Sequence, residues 1–207
     1  MTKSSSDQRP HNIGLCKMLS ERKTSNRAIR LIFLDVDGVL NNVKQRDAMS
    51  IDMNCIKIFA ELVIKTGAYI VMSSTWRKHD KFMDYLIGKL RMLGIEDRLV
   101  GKTDIIGDFE RPREVAAWIR AFEKMHFVID GWVAIDDMNL EGNDNTGGSA
   151  MKGHCVLTSM QFGLTKLQSR AAENILMNRP ERVNIGNGSG RRKSWGSFLF
   201  KELIGES

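Results

Sequence analysis

Four stretches of the chain are continuous apolar runs of strand length. Arg30–Leu34 reads R-L-I-F-L and Ala68–Met72 reads A-Y-I-V-M. Trp132–Ile135 reads W-V-A-I, with Phe127–Ile129 as an upstream extension, and Cys155–Leu157 is a weaker fourth. Runs without polar alternation suit strands covered on both faces, as in a parallel sheet. Between them apolar residues recur at helical spacing. One face holds Ile56, Phe59, Ala60 and Val63; another holds Phe82, Tyr85, Leu86, Leu90 and Leu93. A third holds Val115, Trp118, Ile119, Phe122 and Met125, with Pro112 in the favoured first turn. The last holds Leu164, Leu167, Ala171 and Ile175, and its start, Thr165 to Gln168, has capping-box spacing. Strand and helix in alternation predict an α/β fold, an open parallel sheet of Rossmann-like form flanked by helices.

Composition narrows this picture. Hydrophobic residues at 42% and charged residues at 27% fit a globular chain and argue against wholesale disorder. No apolar run reaches the roughly 18–20 residues of a membrane helix, so no membrane partner is expected. The net charge of +6 is unevenly placed. Residues 1–30 carry seven Lys/Arg against two Asp/Glu, residues 181–207 carry five against three, and the stretch between carries 19 against 20. The expected organisation is a basic flexible arm over 1–28, a folded body over 29–180, and a Gly-rich basic tail over 181–207. A short helix near Leu15–Leu19 would interrupt the arm. In the tail, N-I-G-N-G-S-G at 184–190 precedes Arg191, Arg192 and Lys193, then Trp195 and Phe198. Charge beside aromatics suits single-stranded nucleic acid; a solvated linker whose end docks on the body is the blander alternative. Cys16, Cys55 and Cys155 show no paired spacing, which points to free thiols in the cytoplasm or another reducing compartment. The acid-poor N-terminus leaves organelle targeting open. His11, His79, His126 and His154 are scattered and read as surface or packing residues.

Ligands of open parallel sheets bind beyond the carboxyl ends of the strands. The first strand ends in Asp35-Val36-Asp37-Gly38. Two carboxylates there repel unless a cation or proton separates them, and the obvious cation is Mg²⁺, which prefers oxygen ligands. The second ends in Ser73-Ser74-Thr75-Trp76-Arg77, hydroxyls and a guanidinium that suit a phosphate, or else a helix cap and a surface Arg. The third ends in Asp136-Asp137, which completes a metal site with Asp35 or else forms a turn. Glu110-Arg111-Pro112-Arg113 places Arg111 at a helix N-terminus, where anions are favoured. Each feature has a structural alternative alone; the four in one order at one edge point to a site.

These motifs resemble the haloacid dehalogenase-like (HAD) phosphohydrolases. D-V-D-G-V, V-M-S-S-T-W-R and W-V-A-I-D-D follow that superfamily's order. With E-R-P-R-E-V-A-A-W-I and H-C-V-L-T before Gly163-Leu164-Thr165, the chain is similar to the small HAD domain of Swiss-Army-knife RNA-repair proteins, over about Ile29 to Leu176. The resemblance implies an HAD-like catalytic domain and a set of roles. Asp35 would be the nucleophile forming an aspartyl-phosphate, and Asp37 the general acid and base. Asp35, Asp37 (through its carbonyl), Asp136 and Asp137 would hold Mg²⁺, with no further cofactor. Ser73 would bond the phosphoryl group, and Arg111 would stabilise it, with Arg113 in reserve. Ser74, Arg77 and Arg113 would hold the substrate beyond the phosphate. Only Leu40 to Met49 separate the first motif from its helix, and about twenty residues separate Arg113 from Asp136. Neither gap holds a folded cap domain of roughly 50 residues, so the fold should be capless and the site open. The expected activity is Mg²⁺-dependent hydrolysis of a phosphomonoester, such as an RNA or DNA end. The alternatives are a nucleotidase acting on small phosphomonoesters and a non-catalytic nucleic-acid-binding module. Without its four clustered aspartates the body is net positive, which suits a polyanion at the rim.

Overall fold

The structure, a computed structural model, describes Met18, Ser20 and residues 29–44, 49–107, 110–125, 127–142 and 147–178. The predicted helix near Leu15–Leu19, the arm and the tail lie outside the described residues, apart from helical Met18 and Ser20. So do His11, Cys16 and His126.

The chain runs β1 (Ile29–Leu34), α1 (Met53–Thr66), β2 (Tyr69–Met72), α2 (Asp80–Met92), β3 (Leu99–Lys102), α3 (Arg111–Lys124), β4 (Ile129–Asp136), β5 (Cys155–Leu157) and α4 (Lys166–Leu176). The five strands form one sheet in the order β3-β2-β1-β4-β5, and every pairing is parallel. Side chains alternate across it as the pleat requires. Ile32, Leu34, Ile70, Met72, Val133 and Ile135 face one core with α1, α2 and α4. Leu31, Phe33, Tyr69, Val71 and Ala134 face the other with α3. Both faces are covered, which is why the strands read as unbroken apolar runs.

The helix ends follow local chemistry. The Asp52 carboxylate accepts from the amides of Asn54 (2.7 Å) and Cys55 (3.2 Å) and starts α1. The Thr165–Gln168 capping box starts α4 as expected. The amphipathic faces hold with two corrections. Met125 is exposed beyond the end of α3, and Leu167 is exposed on α4. Gln168 takes the inward place instead, buried and donating to the Leu157 carbonyl at 2.8 Å.

β3 was not expected from the sequence. Its L-V-G-K buries only Leu99 and Val100, and it lies at the sheet edge, where a Lys is favoured. The stretches 35–52 and 103–110 that connect β1 to α1 and β3 to α3 are too short for a second domain. Among the described residues no helix is long and apolar enough to cross a membrane.

Candidate active site

The strand order reverses between β1 and β4. From β1 the chain moves outward through β2 and β3, then crosses to place β4 on the other side of β1. A crevice opens at such a switch point, at the carboxyl ends of the strands. Register brings the key residues level. Leu34 pairs with Met72 on one side and Ile135 on the other. The ladder runs one bond further: Asp35 N donates to Ile135 O (3.1 Å), Ser73 N to Leu34 O (3.0 Å) and Thr158 N to Asp136 O (2.8 Å). Thr103, Ser73, Asp35, Asp136 and Thr158 therefore line one edge.

Asp35, Asp136 and Asp137 each offer a carboxylate oxygen, all within 4.8 Å of one another. Asp35 is 3% exposed and Asp136 2%. Arg111, the first residue of α3, bridges the two: its Nη1 lies 3.0 Å from Asp35 Oδ1 and 2.6 Å from Asp136 Oδ2. One guanidinium cannot balance two buried carboxylates and a half-buried third. Burial and the neighbouring Asp136 push Asp35 up to about 7, against the pull of Arg111 and a hydrogen bond from Ser74. Burial likewise raises Asp136, with Arg111 opposing, and it raises Asp137 with help from Asp35. Surplus negative charge on clustered hard oxygens is the donor set of a divalent cation such as Mg²⁺, so these residues fit one.

Gly38 lets the chain turn beneath this cluster. It has φ +69°, and a Cβ there would lie 2.6 Å from the Cβ and Oδ2 of Asp137. Asp37 stands outside the cluster. Its Oδ1 accepts from Asn41 Nδ2 (2.8 Å) and its Oδ2 from Trp76 Nε1 (3.1 Å). Asn41 also accepts from the Gly38 amide at 2.9 Å, which closes the turn. The Gly163-Leu164-Thr165 motif supports the same loop, since Leu164 N donates to Val39 O (2.8 Å).

Several expected site residues are placed differently. Ser73 and Ser74 are both buried at the end of β2; Ser74 lies close enough to pull Asp35 down, and it also caps the short 3₁₀ turn Thr75–Lys78. Arg77 is 5% exposed and turned into the fold. Its Nε donates to Thr103 O (3.0 Å), Nη1 to Ser73 O and Ser74 O, and Nη2 to Asp104 O (3.3 Å) and Glu114 Oε2 (2.6 Å). A guanidinium has five N–H donors, so none is left for a substrate. Arg77 is a clamp joining the loops after β2 and β3 to the first turn of α3. Arg113 is half exposed and lies 3.0 Å from Glu110, away from the Arg111 bridge. His154 is a packing residue, stacked on Trp132 at 4.1 Å. Cys55 and Cys155 are free thiols.

Beside Arg111 lies a cleft of ≈ 320 Å³, lined by Thr75, Lys78, Gly107, Glu110 and Met138 among others. Sequence reasoning missed Lys78, Asn41, Trp76 and Glu114. Lys78 follows the T-W-R motif directly, and Asn41 lies four residues from Asp37 in the same turn, so both were legible; Trp76 and Glu114 act through contacts distant in sequence.

A family model described as the HAD domain in Swiss Army Knife RNA repair proteins matches residues 31–168, and the chain belongs to that family. No curated protein matches the chain. The family carries a phosphohydrolase-type role, which the acidic, cation-seeking crevice suits.

Proposed function

Given that membership, we propose that the protein is a Mg²⁺-dependent phosphomonoester hydrolase working through an aspartyl-phosphate on Asp35. The observation that carries this reading is the Arg111 bridge across Asp35 and Asp136, at 3.0 and 2.6 Å, inside a buried carboxylate cluster at the switch point. In the first step an oxygen of Asp35 attacks phosphorus, and the bond to the leaving oxygen breaks. Asp37 gives that oxygen its proton. Arg111 balances the charge that develops on the phosphoryl oxygens, and the Ser73 hydroxyl donates a hydrogen bond to them, with Ser74 beside it at the end of β2. In the second step Asp37 takes a proton from water, which attacks the same phosphorus; phosphate leaves and the Asp35 carboxylate returns. A Mg²⁺ held by Asp35, Asp136 and Asp137, with the Asp37 carbonyl, would screen the phosphate charge from the attacking carboxylate.

The substrate we favour is a nucleic-acid terminal phosphate. The connections 35–52 and 103–110 leave no room for a cap, the family is one of RNA-repair domains, and the chain carries basic residues at both ends. The test is phosphate release from p-nitrophenyl phosphate, a mononucleotide and end-phosphorylated RNA and DNA, with Mg²⁺ and with EDTA. Turnover that needs Mg²⁺ and is highest in kcat/KM on an oligonucleotide end supports the reading. Highest kcat/KM on the mononucleotide assigns a nucleotidase. Oligonucleotide binding without hydrolysis of any substrate makes the fold a binding module.

A further inference from the structure

We propose that Trp76, with Asn41, is the positioning device that fixes Asp37 for proton transfer to the leaving group. The proposal rests on the general-acid role given to Asp37 above. An Asp at the tip of a turn has two free side-chain torsions, yet proton transfer demands hydrogen-bond geometry to the departing oxygen. Here each carboxylate oxygen of Asp37 accepts one bond, from Asn41 Nδ2 at 2.8 Å and Trp76 Nε1 at 3.1 Å. An ionised carboxylate oxygen has about two lone-pair sites. One bond to each oxygen therefore fixes the plane of the group and leaves a second site for a proton or water. Asp37 is only part-buried, so that remaining capacity is reachable.

The two donors are themselves buried and tied to their neighbours. Trp76 is 2% exposed and packs in the larger core, with its ring 5.0 Å from that of Phe82. Its backbone is tied to Ser74, whose hydroxyl accepts from Trp76 N at 3.3 Å. A buried indole N–H needs an acceptor, and here that acceptor is Asp37. Asn41 is 7% exposed, and its second bond, from Gly38 N, ties it to the residue after Asp37. Thus the turn after β2 and the turn after β1 hold the acid between them. Ser74, whose hydroxyl pulls Asp35 down, also caps the turn that carries Trp76. Nucleophile and acid are thereby referred to one short segment.

A positioning role separates from a merely structural one through the leaving group. p-Nitrophenolate departs without a proton, whereas an alkoxide needs one. kcat/KM reports only the step that releases the leaving group. We compare kcat/KM on p-nitrophenyl phosphate and on glycerol 2-phosphate, with thermal melts alongside. Asp37→Asn sets the scale, since general-acid loss is worth about 10²–10⁴-fold. Trp76→Phe keeps an aromatic ring and removes the donor. It should lower the alkyl-to-aryl ratio by about tenfold or more. Replacing Trp76 with benzothienylalanine, which keeps the bicyclic shape without the N–H, should lower the ratio equally and serves if Trp76→Phe does not fold. An unchanged ratio in folded variants, or equal losses on both substrates, overturns the positioning role. If the wild type releases phosphate from neither of these substrates nor from end-phosphorylated RNA or DNA, or Asp35→Asn stays active, the proposed function itself falls and this inference with it. If those two controls behave and only the Trp76 ratio fails to move, this inference alone falls.

Discussion

Gly38→Ala puts the turn beneath the carboxylate cluster to a quantitative test. Gly38 has φ +69°, where an L-residue costs about 1–2 kcal/mol. Its Cβ would also meet the Cβ and Oδ2 of Asp137 at 2.6 Å, closer than side chains tolerate. Gly67, which ends α1 at φ +65°, is the natural control, because a Cβ there meets nothing within 4 Å. Both substitutions carry the backbone penalty, and only Gly38→Ala displaces Asp137. For a chain of this size 1 kcal/mol moves Tm by about 2–4 °C. In EDTA, Gly67→Ala should therefore lose about 2–8 °C, and Gly38→Ala at least as much. The decisive difference appears in Mg²⁺ titrations followed by calorimetry. Gly67→Ala should bind as the wild type does. Gly38→Ala should bind about 10–100-fold more weakly, the usual cost of disturbing a group that supports a metal site. If Gly38→Ala binds Mg²⁺ with wild-type affinity, Asp137 is not a member of the metal set and the reasoning fails.

The raised pKa of Asp35 has a stability consequence in metal-free protein. Folded Asp35 titrates near 7 against 3.8 unfolded, so between those values the folded state binds more protons. That contribution is fully present below about pH 4 and is lost as pH rises through about 7. Tm in EDTA should fall across this window, and Asp35→Asn should flatten the slope; an equal slope in the variant contradicts the assignment. Arg77→Ala removes one partner of a buried pair and should cost about 3–5 kcal/mol in denaturant melts. A stable Arg77→Ala that only raises KM would return Arg77 to substrate binding. Deleting residues 1–28 and 184–207 should weaken oligonucleotide turnover and its salt dependence while sparing p-nitrophenyl phosphate. Equal losses on both substrates would assign the ends a structural role.

The central strands were legible because burial on both faces keeps their carboxyl halves apolar as far as Asp136, whereas polar residues such as Arg30 and Asp130 fall near their starts. β3 was not, since an edge strand needs apolar cover on only part of its length and L-V-G-K shows two apolar residues. The carboxylates and Arg111 were legible because each sits directly at the end of a strand or the start of a helix, where position implies a place in the crevice. The separate roles of Ser73 and Ser74 came from the resemblance and not from position, because successive residues point to opposite faces and one residue decides which hydroxyl lies near Asp35. Arg77 looked functional for its charge, but its fate depended on Glu114 and on carbonyls of two loops. Trp76 meets Asp37 across 39 residues, a contact created by the register of β1 and β2. Residue type and strand ends thus identify who is at the edge, while hydrogen-bond partners decide whose donors are already used within the fold.

The central claim is that Asp35 becomes phosphorylated during turnover. It is tested most directly by acid-quenching the Mg²⁺-loaded enzyme within a single turnover of a radiolabelled phosphomonoester and mapping the label by peptide sequencing. The account predicts a hydroxylamine-labile label on the peptide containing Asp35, absent from Asp35→Asn and lost on a chase with unlabelled substrate. Turnover with no label on the protein, or with label on another residue, would contradict it.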